Sequence, residues 1–178
     1  DNKLLNDAYR IAAGDIVGNI VYYQNGLLTE EKPCMIAGLD YNTPWTRDTA
    51  INIWNALSIL SPEVSKNTLL AVLEEEEGNI YIGGQYWDSI IWMIGAREYC
   101  RFHKDDNFYR LAFEAGRNSV HRLEEDEFDE EDGLFRGPAV YGDGIAAYPD
   151  KYSKCPNQGS GILEWVDYPG NPVYPKGY

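Results

Sequence analysis

The chain has 178 residues, 44% of them hydrophobic and 13% aromatic, so one domain with a real core is expected over residues 1–178. Twenty-nine acids against 15 basic residues give a formal charge of −14. That balance argues against nucleic acid or an anionic membrane as partner, since both need a basic face.

In chain order, residues 3–24 carry Leu4, Leu5, Ala8, Ile11, Ala12, Ile16, Ile20 and Tyr23 at three- and four-residue spacings. That spacing predicts a helix with one buried stripe, stopped at Asn25-Gly26. Residues 27–45, with Pro33, Gly38 and Pro44, read as a long loop. A helix is expected over 46–60 with Thr46 as N-cap, and the next over 62–77, with Pro62 at its first position. "GNIYIGGQ" then reads as a turn or ribbon. Residues 86–103 predict a helix buried on most sides. Residues 105–123 predict an amphipathic one, capped by Asp105 or Asp106. The run 124–132 holds eight acids in nine residues and reads as a solvated loop without the spacing of a calcium loop. From there to the end Gly, Pro and Tyr dominate, with a short strand expected in "GILEWVDYP".

Cys34, Cys100 and Cys155 have no CxxC or Cys/His spacing, so no zinc site is expected. No phosphate loop or dinucleotide fingerprint is present, and no cofactor is expected. No apolar run approaches the roughly 18 residues that span a bilayer. The 14 tyrosines and 5 tryptophans supply flat amphipathic surfaces, which suit sugars and polar small molecules, although the ordinary place of any one of them is the core.

Three stretches carry candidate chemistry. "PWTRDT" and "QYWDS" each open a predicted helix, with an aromatic ahead of an acid. If alternate helices run the same way, Trp45, Arg47, Asp48, Tyr86, Trp87 and Asp88 meet at one end of the bundle. The blander role of Asp48 and Asp88 is to sit against the helix dipole, and of Arg47 to pair with one of them. The third stretch is "DGLFRGPAVYGDGIAAYP", with glycines at 133, 137, 142 and 144. There Phe135, Tyr141 and Tyr148 can wall a pocket and Arg136 can hold a hydroxyl. Asp143 stands between two glycines. A carboxyl desolvated beside aromatics is suited to donate a proton to a leaving oxygen.

Together these stretches resemble the six-hairpin glycosidases, the (α/α)6-barrel superfamily of amylo-alpha-1,6-glucosidases, processing alpha-glucosidases, trehalases and glucoamylases. The resemblance implies an all-α fold with long substrate-side loops. It also implies hydrolysis of an alpha-glucoside or related alpha-glycoside, with inversion. It implies Asp143 as proton donor, with Asp132 in reserve. It places Trp45, Arg47, Asp48, Tyr86, Trp87, Asp88, Arg136 and Tyr141 around the sugar. Inversion needs two carboxyls about 6.5–9.5 Å apart. In the family the base comes from a late segment. A twelve-helix barrel needs on the order of 350 residues, so the chain, which starts at Asp1, is expected to be its N-terminal portion. A partial barrel leaves a helix face uncovered, which makes self-association an expectation. The alternative is a carbohydrate-binding or assembly module without catalysis.

Overall fold

The computed structural model describes residues 2–84, 87–135, 137–138 and 176–177. The contacts divide the chain into two compact units, 1–122 and 123–178. The fold is mainly helical, as expected, with small strand pairs added to it.

In the first unit the helices are α1 (Lys3–Gly18), α2 (Thr46–Asn52), α3 (Ser58–Leu60), α4 (Pro62–Ala71), α5 (Asp88–Phe102) and α6 (Asp106–Glu127), the last of which runs past the unit's end. A π-helical turn, Ile53–Leu57, joins α2 to α3 without a break in helical backbone. The predicted helix over 46–60 is therefore one continuous rod with a wider turn in its middle. Pro62 stands at the first turn of α4, where its missing N–H costs nothing. Asp105 caps α6 by accepting from Phe108 N–H at 3.0 Å.

Four expectations are corrected. The first helix ends at Gly18, and Ile20–Tyr23 leaves it as strand β1. Ile20 and Tyr23 fit a helical spacing, but the run Ile-Val-Tyr-Tyr is also β-branched and aromatic, and pairing decides it. Its partner is β2 (Lys32–Met35), antiparallel, within the supposed loop. The acidic end of the helix predicted over 62–77 is instead β3 (Leu73–Glu76), paired with β4 (Asn79–Ile82). The two-residue turn Glu77-Gly78 has φ of 52° and 80°, the handedness that a tight hairpin requires. Lastly, α1 buries none of its residues. Its apolar stripe is present, but Leu4 and Ile11 are 80% and 66% exposed.

The core gathers Ile53, Leu57, Leu69, Leu73, Trp92 and Phe108. Their contacts fix the helix directions. Lys66 meets Asp105 and Trp92 Nε1 donates to Leu69 O, so α4 runs against α5 and its exit. Tyr99 packs on Phe108, and Gly116 lies against Met93, so α6 also opposes α5. Along α2 and α5, Arg47 meets Asp88 while Ala50 meets Gly95, so these two run the same way. The order is thus alternating up and down. A Cβ on Gly95 would lie 2.8 Å from Ala50 Cα, so the two helices are in backbone contact there.

In the second unit, β5 (Phe128–Asp129) pairs with β6 (Leu134–Phe135), and β7 (Gly137–Pro138) with β8 (Lys176–Gly177). The acidic run is not all loop: α6 carries it to Glu127, and Asp129 Oδ1 then accepts from the N–H groups of Glu131 and Asp132 to shape a turn. The short strand expected in 161–169 lies outside the described residues. Among the described residues no helix is long and apolar enough to cross a membrane.

Candidate functional site

Because α2 and α5 run in parallel, their starts share one end of the first unit. Trp45 and Trp87 are the residues that precede them, and neither caps its helix with a side chain. Thr46 is not the N-cap expected. It is the first helical residue, and its hydroxyl donates to Gly83 O at 2.9 Å. This bond ties the start of α2 to the turn that leads into α5.

That turn closes tightly on Asp88. Gly84 has φ of +122°, and a Cβ there would lie 2.5 Å from Asp88 Oδ2 and 2.9 Å from Thr46 Oγ1. Asp88 is only 1% exposed, and its Oδ1 receives Arg47 Nη1 at 2.5 Å. A carboxylate so enclosed stays charged at low cost only when a cation and donors meet it. Arg47 supplies the cation from the neighbouring helix.

Beside this pair opens a cleft of about 190 Å³. Trp45 and Pro44 give its apolar side, Asp88 and Glu74 its carboxylates, and Asn25 and Thr43 further polar groups. The backbone of Gly83 and Gly84 completes the wall. Trp45 is set by an edge contact with Tyr41, ring centroids 6.0 Å apart. Its indole N–H is buried and meets no acceptor among the described residues. A flat ring, a buried donor and several acceptors around a small space can hold a polyhydroxylated or amine-bearing small molecule.

Of the expected site residues, Trp45 and Asp88 line the cleft and Arg47 reaches it through Asp88. Asp48 and Trp87 are half-buried at the same helix starts but do not line this cleft. Tyr86, Arg136, Tyr141 and Asp143 lie outside the residues whose side chains are described; Asp132 is exposed in the second unit's turn. Asn25, Thr43 and Glu74 are additions that the sequence does not announce. Locally, Asn25 looks only like a helix stop, and Glu74 only like part of a helical acidic tail. The pairing of β3 with β4, invisible in local spacing, is what turns Glu74 toward the cleft. No family model, curated protein or solved structure matches the chain.

Proposed function

We propose that this chain belongs to an alpha-glycoside hydrolase of the (α/α)6-barrel kind, with the cleft at the starts of α2 and α5 holding one sugar ring. The observation that carries the reading is the meeting of Trp45 and Arg47 with Asp88, the latter two 41 residues apart in sequence, around one small cleft. The alternation of helix directions from α2 to α6 supports a hairpin toroid, of which these helices make only a part. In this reading Trp45 stacks on the ring and Asp88, oriented by Arg47, accepts from sugar hydroxyls. The roles expected from the sequence for residues outside those described are substrate binding by Arg136 and Tyr141 and protonation of the leaving oxygen by Asp143. A second carboxylate activates water, with inversion at the anomeric carbon.

The experiment is Asp143→Asn in the intact protein, assayed on an aryl alpha-glucoside with product anomers followed by NMR. Turnover falls ~10²–10⁴-fold if the carboxyl is the general acid. Turnover near wild type removes Asp143 from that role.

A second reading, carbohydrate binding without hydrolysis, is favoured by one observation. Asp88 is the most enclosed acid at the cleft, and its pairing with Arg47 commits it to holding rather than to proton transfer. Sugar binding with no turnover of any aryl glycoside by the intact protein selects this reading.

A further inference from the structure

The two carboxylates of the cleft are not equivalent. Asp88 is balanced by Arg47. Glu74 takes neither a hydrogen bond nor an ion pair from any described residue. The cation that reaches this hairpin from α6, Arg122, is already engaged: it forms two bonds to Glu76, at 3.2 and 2.7 Å, and stacks 3.5 Å over the Tyr81 ring.

Gly83 shows that the Glu74 carboxylate lies along the cleft wall. The φ of Gly83 is outside the left-handed region, so its backbone does not demand glycine. Space does: a Cβ there would collide with Glu74 Oε1, and would lie 2.9 Å from Glu74 Cδ and 2.8 Å from Val72 O. The absent side chain leaves a place in which the carboxylate rests against the turn. An acid that no described residue neutralises therefore shares the cleft with Trp45, and the Arg47–Asp88 pair stands beside them.

We infer that this cleft selects a sugar carrying a protonated amine over a neutral sugar, with Glu74 as the specificity-determining residue. An ammonium group finds in Glu74 a carboxylate without a competing cation among the described residues, and in Trp45 an aromatic face that attracts positive charge. A uronate or phosphosugar meets an acidic cleft on a chain of charge −14 and is disfavoured. The inference rests on the sugar-site reading above.

The test is calorimetric titration of the intact protein with glucosamine, glucose, glucuronate and cyclohexylamine, at about pH 6.5, where the free amines are protonated. Glucosamine is expected to bind about fivefold tighter than glucose, the scale of an ion pair at a cleft rim, and glucuronate weakest. Glu74→Gln should erase the preference. Glu75→Gln, on the other face of the same strand, should keep it. Equal binding of glucosamine and glucose, or a preference that survives in Glu74→Gln, overturns the inference while leaving the sugar site standing. Cyclohexylamine binding as tightly as glucosamine keeps the amine selectivity and removes the sugar reading. No binding of any probe removes both.

Discussion

Asp88 and Arg47 show what a single pair contributes here. The Asp88 side chain is 2% exposed and that of Arg47 29%, so the pair is closed on the acid's side and open on the base's. Removing one partner of a buried pair costs more than the pair itself ever contributed, because the remaining charge is left without its counterion. Arg47→Ala is therefore expected to lower stability by about 3 kcal/mol, read as a fall in the urea midpoint at unchanged slope. A loss below about 1 kcal/mol would class the pair with exposed ion pairs. Cys34 gives a different residue-scale prediction. It is fully buried, and burial pushes its thiol up from 9.0 to about 11 despite a bond with Thr68 that acts the other way. The folded thiol keeps its proton at a pH where the unfolded one loses it. Stability is thus intact below pH 9 and declines as pH rises toward 11, by about 2–3 kcal/mol for two units. In Cys34→Ala the slope over that window should flatten, measured by urea unfolding at pH 8, 9 and 10. Burial also raises Tyr99 and Cys100, so some alkaline slope remains.

At the scale of elements, the hairpin of β3 and β4 explains both a success and a failure of sequence reading. Gly78 and the ribbon after it are legible because glycine and β-branched residues punctuate the chain. The acidic run before it misleads. Leu73 followed by Glu74, Glu75, Glu76 and Glu77 is a series of strong helix formers, yet Leu73–Glu76 is a strand because Ile80 and Ile82 lie on an antiparallel partner. Local propensity loses to pairing. The cost is visible at Glu77, which holds φ of 52°, a region a side chain enters reluctantly. Glu77→Asn makes the turn Asn-Gly, the pair best suited to this geometry. A gain of about 0.5–1 kcal/mol is expected, or a melting temperature higher by roughly 2–4 °C for a chain of this size. No gain would mean that Glu77 is held by contacts of its side chain. The helix α1 teaches the complementary lesson. Its stripe at Leu4, Leu5, Ala8 and Ile11 identifies a helix correctly. Periodicity reports amphipathic character, however, and carries no information on whether anything covers the apolar side.

For the whole molecule, direction is more legible than enclosure. The parallel starts of α2 and α5 follow from counting helices, and Trp45, Arg47 and Asp88 can be brought together on that basis. The opposite wall of the cleft cannot, since Asn25 and Glu74 arrive through strand pairings that local spacing does not reveal. Charge is the property of the whole chain that sequence states most directly. Its 29 acids outnumber 15 basic residues, so pairing alone cannot neutralise the surplus. Two of the pairs, Arg122–Glu76 and Lys66–Asp105, are at least partly exposed. Salt weakens those attractions, which are small at exposed positions, and it also weakens the repulsion among unpaired carboxylates. The two effects oppose each other, and the count decides. A surplus of 14 negative charges crowded on a chain of 178 residues contributes many repulsive pairs within a Debye length, against fewer attractive ones. Raising the salt concentration from about 0.01 M to about 0.15 M shortens that length from roughly 30 to 8 Å, and should therefore raise the thermal midpoint by a few degrees. A lower midpoint at the higher salt would show that the ion pairs outweigh the repulsion. Arg122→Ala would then remove most of that sensitivity if the hairpin pair were its source.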